Sequence, residues 1–111
     1  MGSFVFMLIL EFFDSNENFY NMGNTFYKSK DYNKALGYFE KSSKSDLKKI
    51  AESSHYNLGN TYYKLGKLQD SLKSYEKVLS MNPKHEKAKK NLDFVKKKIK
   101  ERQNIFVFLP N

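Results

Sequence analysis

The chain contains no cysteine, only two prolines and only five glycines among its 111 residues. Without cysteine it can form no disulfide, thiolate zinc site or iron–sulfur cluster, and it has no cysteine nucleophile. So few glycines and prolines exclude a collagen-like or loop-dominated fold. The length suits one small domain and excludes most multidomain enzymes.

Sequence patterns for catalysis and metal binding are also missing. His55 and His85 are 30 residues apart, without metal-ligand spacing. Residues 59–67 resemble a phosphate-binding loop superficially, but six residues separate the two glycines where four are needed, and Leu68 replaces Ser or Thr. No pair of carboxylates stands out. We therefore expect no catalytic site, metal or cofactor, and interpret His55 as a buried or edge histidine.

Acidic residues are scarce in the last quarter of the chain. The 20 basic and 12 acidic residues give a net charge of +8. Residues 84–111 hold nine basic and three acidic side chains, whereas residues 1–83 hold eleven and nine. Such a segment can attract acidic peptides, anionic lipids or nucleic acid, although charge runs usually only keep a helix solvated. Only Phe94 interrupts the lysines, so no stacking platform is evident and we expect no specific nucleic-acid partner.

Apolar residues make up 40% of the chain and aromatic residues 16%, which is typical of a globular protein. The longest apolar runs are short and lie near the ends, at residues 4–10 and 105–109, and Phe12 and Phe13 follow the first run after Glu11. Ten helical residues span about 15 Å, half of a bilayer core. Residues 1–15 could pack on the domain, act as a degenerate signal or membrane-surface anchor, or self-associate together with the apolar tail 103–111.

The middle of the chain repeats itself at an offset of 36 residues. Seven of nine positions in residues 20–28 are identical to residues 56–64. Apolar residues recur at i, i+3 and i+7 in both copies, which predicts one apolar stripe on a helix. These stripes comprise Phe19, Met22 and Phe26 in the first copy and His55, Leu58 and Tyr62 in the second.

Helix boundaries are predicted from capping residues. Asp31 is suited to cap the second helix, and Gly66 can supply the left-handed turn that ends the third. Ser45 is expected to cap a third helix that starts at the next residue. Asn82 and Pro83 are expected to cap and start the fifth helix.

This pattern resembles the tetratricopeptide repeat, a helix–turn–helix unit of about 34 residues. The matching residues are Phe19, Met22, Gly23, Phe26, Ala35 and Phe39 in one unit, and His55, Leu58, Gly59, Tyr62, Ser71, Tyr75 and Pro83 in the other. The resemblance implies an all-α fold, a fragment of an α-solenoid, with repeats at 16–49 and 52–85. Gly23, Gly59 and Ala35 would let paired helices approach closely. The departures are His55 for a large aromatic residue, Ser71 for alanine, and a first unit without its closing proline.

A basic helix at residues 84–102 would cap the second repeat. Ala88, Leu92, Val95 and Ile99 form its apolar stripe, and most other positions are polar. About three repeats are usually needed for stability, so we expect self-association or a larger assembly. A clean monomer at tens of micromolar, seen by size-exclusion chromatography with light scattering, would count against this expectation.

The resemblance implies a non-catalytic scaffold that binds a partner protein or peptide in a groove lined by the first helix of each repeat. Lysines favour acidic groups, asparagine amides pair with a peptide backbone, and tyrosines offer flat contact area. The expected groove residues are Tyr20, Asn24, Tyr27, Lys28, Tyr56, Asn57, Asn60, Tyr63, Lys64, Lys87, Lys90, Asn91 and Phe94, with Lys98 beside them.

Two more specific hypotheses stay open. A carboxylate clamp, as in chaperone-binding members of the family, would use Tyr20, Asn24, Asn57, Lys87 and Asn91, of which three match the clamp pattern. Alternatively, the chain is a membrane-associated or exported accessory protein, with the apolar residues 4–13 as its anchor and the basic helix 84–102 in contact with anionic lipid. It also loosely resembles the repeat proteins of bacterial aerotolerance operons, which are envelope-associated. The sequence leaves a cytoplasmic or envelope-associated location open.

Overall fold

The computed structural model describes the backbone of residues 2–108 and the side chains of residues 15–105. Within these residues the chain forms five α-helices and no β-strand. The helices are α1 (Gly2–Lys28), α2 (Tyr32–Ser42), α3 (Lys48–Lys64), α4 (Leu68–Met81) and α5 (Glu86–Phe108). Helices α1 and α2 pack as one hairpin, α3 and α4 as a second, and α5 packs on α4. The predicted all-α architecture is confirmed.

The turns inside the two hairpins have the same geometry. Asp31 caps α2 as predicted, since its carboxylate accepts the N–H of Lys34 at 3.3 Å. Gly66 adopts a left-handed φ of 76°, also as predicted. At the position 36 residues earlier, Lys30 adopts a left-handed φ of 64°. The first hairpin therefore places a residue with a side chain where the second has glycine.

Helix α3 starts later than the sequence indicated. The hydroxyl of Ser45 accepts the N–H of Leu47 at 3.1 Å and so closes a short turn ahead of the helix. Leu47 then occupies the N-cap position without a side-chain hydrogen bond, and α3 begins at Lys48. The prediction that Ser45 caps the helix is wrong, because its hydroxyl bonds only two residues along the chain.

Asn82 and Pro83 form a turn and do not start α5. The N–H of His85 donates to the carbonyl oxygen of Asn82 at 3.1 Å, which places Pro83 at the second position of a β-turn. The cap is His85, whose Nδ1 accepts the N–H of Ala88 at 3.0 Å. Helix α5 begins at Glu86, later than the expected start at Pro83 or Lys84, because the proline serves the turn.

Each hairpin is closed by an aromatic ring that lies against a glycine. A Cβ atom added to Gly23 would lie 2.6 Å from the ring of Phe39, and one added to Gly59 would lie 2.5 Å from the ring of Tyr75. Carbon atoms not bonded to each other pack at about 3.5–4.0 Å, so neither position has room for a side chain. The predicted close approach at both glycines is confirmed.

The substitution of Ser71 for alanine is accommodated by a hydrogen bond. Ser71 is fully buried, as Ala35 is at the equivalent position of the first hairpin. Its hydroxyl donates to the carbonyl oxygen of Gly59 at 2.7 Å. A buried hydroxyl without a partner would be costly, and this bond removes that cost.

Helix α5 packs as the first helix of a further repeat would. Its buried residues lie 34 positions after buried residues of α3. The corresponding pairs are Ser54 and Ala88, Leu58 and Leu92, and Thr61 and Val95. Together with Leu68, Tyr75 and Val78 of α4, the α5 residues form the larger of the two core clusters. Helix α5 therefore covers the second hairpin.

The apolar stripe on α1 is covered incompletely. Phe26 stacks on Tyr38 of α2 with ring centroids 5.4 Å apart, and Phe19 lies 6.2 Å from the same ring. Met22 is 39% exposed, whereas the equivalent Leu58 is 5% exposed. The difference arises because α2 packs on that side of α3, and no helix of the described chain packs on that side of α1.

Near both ends of the chain, the described backbone is helical. Residues 2–14 belong to α1, but the side chains of the proposed anchor at 4–13 lie outside the described residues. Helix α5 continues past the expected end at Arg102 to Phe108, since no proline or glycine interrupts it. Ile105 is 60% exposed. The predictions for the remaining tail, 106–111, also fall outside the described side chains.

Candidate functional site

An open depression of about 320 Å³ lies between α3 and α5, and we refer to it as the central trough. Nine residues line it. Seven of these were predicted groove residues: Tyr27, Tyr56, Asn60, Tyr63, Lys64, Asn91 and Phe94. The other two were not predicted to lie in a groove: Tyr75 was named as a residue that matches the repeat, and Val95 as part of the apolar stripe of the capping helix. The trough thus combines polar amides and aromatic rings with one lysine.

Asparagine side chains connect the helices that form the walls. The Asn57 amide on α3 donates to the Asn24 side-chain oxygen on α1 at 3.1 Å. The Asn91 amide on α5 donates to the Asn60 side-chain oxygen on α3 at 3.3 Å, and to the Tyr56 hydroxyl at 3.2 Å. These bonds hold successive helices in register, so the walls of the trough are fixed before any partner arrives.

The Tyr75 hydroxyl reaches the trough from α4, the second helix of its hairpin. Tyr75 is only 2% exposed, and its hydroxyl donates to the side-chain oxygen of Asn60. Burial is the largest cause that raises the pKa of Tyr75 well above its ordinary value, so the phenol stays protonated and remains a donor. Phe39, its equivalent in the first hairpin, has no hydroxyl, and this difference between the repeats is the signal that could have predicted the contact.

The network leaves hydrogen-bonding groups available to a ligand. The amide nitrogen of Asn60 and the side-chain oxygen of Asn91 bond to no other residue within the described part of the chain. No buried side-chain nitrogen or oxygen among these residues lacks a partner, so both atoms must reach solvent. One free donor and one free acceptor therefore face the open trough.

The charge of the trough is positive. Lys64 is exposed, lines the trough and forms no ion pair with any described residue. None of the lining residues is acidic. Lys98, further along α5, differs in that it pairs with Glu101 at 3.5 Å and lies over the ring of Phe94 at 5.4 Å. An acidic group in the trough would find Lys64 without a competing partner.

The aromatic rings that line the trough pack against neighbouring rings. The ring of Tyr63 meets Phe94 edge-on at 5.6 Å, which joins α3 to α5. Tyr56 lies 5.1 Å from the ring of His85, the residue that caps α5. Burial raises the pKa of Tyr27, whose ring packs against Tyr32 at 5.4 Å. The tyrosines are therefore partly packed, and each presents only part of its surface to a ligand.

Family comparison matches both helical hairpins. Two family models of the tetratricopeptide repeat match the chain, one at residues 17–49 and the other at residues 53–85, together more than half of its length. The chain belongs to the tetratricopeptide repeat family. Proteins of this family generally mediate protein–protein interactions. No curated protein matches the chain.

Within the repeat architecture, the central trough lies between the first helix of the second repeat and the capping helix.

Six predicted groove residues do not line the central trough. Tyr20 packs against Phe39 and borders a separate depression, while Asn24 and Asn57 bond to each other. Lys28, Lys87 and Lys90 are exposed and lie outside the trough. The first repeat contributes Tyr27 alone.

The carboxylate-clamp positions do not share one depression. Asn91 lines the central trough, Tyr20 borders another depression, and Lys87 borders none of the depressions described above. Asn24 and Asn57 each use part of their amide on the other. The geometry thus gives the clamp no support beyond the residue identities.

In the described part of the chain, no helix combines the length and apolar character that crossing a bilayer requires. The same residues contain no group of three or more histidine, aspartate or glutamate side chains that could hold a metal ion. The anchor at residues 4–13 stays a prediction, as does self-association.

Proposed function

We propose that this tetratricopeptide protein is a non-catalytic adaptor that holds an extended segment of a partner protein in the central trough. The observation that carries the proposal is that Asn60 and Lys64 both line the central trough, while the Asn60 amide nitrogen and the Lys64 ammonium group have no partner among the described residues. The amide can donate to a backbone carbonyl of the segment, and the ammonium group favours an acidic side chain or a terminal carboxylate.

The character of the trough supports a protein partner. An extended peptide offers a backbone donor and acceptor at every residue, matching the free groups of Asn60 and Asn91. The rings of Tyr63 and Phe94 supply contact area with little conformational freedom to lose. With no carboxylate in the trough, the partner segment is acidic rather than basic.

Charge reversal tests this proposal. Lys64→Glu should weaken capture of the partner from an extract of the native host by about tenfold, or ~1.4 kcal/mol, because it places like charges together. Lys97→Glu is the matched control, since Lys97 is also exposed but does not line the trough. Lys87→Glu, one helical turn before Asn91, should have a smaller effect than Lys64→Glu.

Circular dichroism must show unchanged helicity in all three variants, because these lysines are exposed. Quantitative mass spectrometry of the captured proteins then separates the outcomes. Equal loss in the Lys64 and Lys97 variants would mean that net charge, and not the trough, controls capture. No loss in the Lys64 variant would contradict the proposal.

A further inference from the structure

A second depression adjoins the central trough where α5 extends beyond the turn at Gly66. It measures about 250 Å³ and lies between the start of α4 and the last turns of α5. We refer to it as the anchor pocket, lined by Tyr63, Leu68, Lys98, Glu101, Arg102 and Ile105. Tyr63 lines both depressions, so the two form a continuous surface.

The extension of α5 creates this pocket. Phe94, Lys98 and Ile105 lie at i, i+4 and i+11, which places them along one face of the helix. Arg102 donates to the carbonyl oxygen of Gly66 at 3.4 Å and holds the extension against the turn. Had the helix ended at Arg102, as the sequence indicated, the pocket would lack the wall that Ile105 provides.

The pocket is apolar where the trough is polar. Leu68 is buried beneath it, and Ile105 is 60% exposed at its rim. Phe94, 47% exposed, lies on the neighbouring wall of the central trough. Both are among the few large apolar side chains that the described residues leave exposed. Phe94 and Ile105 therefore give this continuous surface two exposed apolar side chains that an apolar group of a partner can cover.

The charges around the pocket are already engaged. Lys98 pairs with Glu101, and Arg102 bonds to the backbone at Gly66. Lys64, beside Tyr63 in the chain, has no ionic partner in the described residues. An apolar group is therefore favoured in the pocket, and an acidic group is favoured next to it.

We infer that the anchor pocket takes one large apolar side chain of the same partner segment whose acidic residue lies at Lys64. This inference rests on the proposed function and specifies the partner: an extended segment with an aliphatic or aromatic residue a few positions from an aspartate or glutamate. Charge complementarity at Lys64 favours this occupant over a basic segment. The continuity of the two depressions favours a single segment that crosses both.

The test uses random 12-residue peptides displayed on phage and selected against the full chain. Enriched sequences are expected to carry an acidic residue and a Leu, Ile, Met or Phe within about five positions of it, a span of up to ~18 Å at 3.3–3.6 Å per residue. The best peptide is then synthesised, together with a version in which its apolar residue is alanine. Fluorescence polarisation measures the affinity of both peptides.

Ile105→Ser tests the pocket, and Met22→Ser is its matched control, because Met22 is an exposed apolar residue on α1 outside both depressions. Ile105→Ser should lower the affinity for the best peptide about tenfold and leave the affinity for the alanine version unchanged. Met22→Ser should change neither affinity. Lys64→Glu should lower the affinity for both peptides.

The outcomes separate the two proposals. The anchor pocket would be overturned if the enriched peptides lacked an apolar residue, or if the Ile105 and Met22 variants bound the best peptide with equal affinity. In either case, weaker peptide binding by Lys64→Glu would still support the trough. No enriched peptide, or no effect of Lys64→Glu, would overturn both. If Ile105→Ser instead abolished binding to phosphatidylserine-containing vesicles or self-association, with peptide affinity unchanged, the surface would belong to lipid or a second copy and the inference would fail.

Discussion

The ring of Tyr75 lies so close to Gly59 that a Cβ atom on that glycine would be 2.5 Å from Cε1. The same relationship, at 2.6 Å, joins Phe39 to Gly23 in the first repeat. In each hairpin the missing side chain lets a large ring fill the space between the two helices. The contact also positions the Tyr75 hydroxyl against Asn60, which links the core to the trough.

Adding one methyl group at these contacts should destabilise the fold. Gly59→Ala and Gly23→Ala should each lower the free energy of unfolding by about 1–3 kcal/mol, because the buried rings cannot move away freely. Gly37→Ala is the control, since a Cβ there would meet nothing within 4 Å. It should stabilise the exposed middle of α2 by about 0.5–1 kcal/mol. Urea denaturation followed by circular dichroism measures all three, and a destabilised Gly37 variant would contradict this account.

Glycine should be more favourable than lysine at the left-handed position of the first hairpin turn. Lys30→Gly should raise the free energy of unfolding by about 1 kcal/mol, because glycine adopts φ near 64° without steric cost. Gly66→Ala, at the equivalent turn, should lower it by a similar amount. Thermal denaturation of both variants beside the wild type tests the pair. A destabilised Lys30 variant would mean that the lysine side chain stabilises the fold by more than its left-handed backbone conformation costs.

Much of the fold could be predicted from the sequence because it depends on local signals. Gly23, Gly59 and the cap at Asp31 act through neighbours at fixed spacing, so an internal repeat makes them recognisable. The starts of α3 and α5 could not be predicted this way. Ser45 and Asn82 can serve either as caps or as turn residues, and only the path of the chain decides between them.

The candidate site was predictable only in part. Tyr56, Asn60 and Lys64 lie at i, i+4 and i+8 on one face of α3, and the resemblance to the tetratricopeptide repeat implied that this face lines a groove. The contribution of Tyr75 needs the tertiary structure, because its hydroxyl crosses from α4 to reach Asn60. The anchor pocket was missed because it depends on how far α5 extends past the body of the domain.

His85 should be replaceable only by another capping residue. His85→Ala should lower the free energy of unfolding by about 0.5–2 kcal/mol, because it leaves the N–H of Ala88 without its partner. His85→Ser should restore most of that loss, since serine can cap the same helix. Chemical denaturation at a fixed neutral pH compares the two. Equal stability of both variants would show that the contact with Tyr56, and not the cap, is what His85 contributes.

Stability should fall in mild acid through His55. Burial, and secondarily the charge of Lys77, lowers the pKa of His55 below its ordinary value. The unfolded chain then takes up this proton more readily than the folded chain does. The stability that comes from keeping His55 neutral in the folded state is fully present above pH ~6.5. It is lost as the pH falls below that value toward the lowered pKa of the folded state.

Urea midpoints of the wild type and His55→Gln, measured between about pH 7.5 and 5, test this dependence. The wild type should lose more stability than the variant over that interval. Parallel curves for the two proteins would exclude His55 as the source.

Site-specific photo-crosslinking tests the central claim most directly. A photoreactive benzoylphenylalanine in place of Phe94 faces the central trough, whereas one in place of Lys96 lies on α5 outside it. On irradiation in cells of the native host, position 94 should give a covalent adduct with a partner protein, and position 96 should give none. Adducts of equal yield at both positions, or an adduct at position 96 alone, would contradict partner binding in the trough.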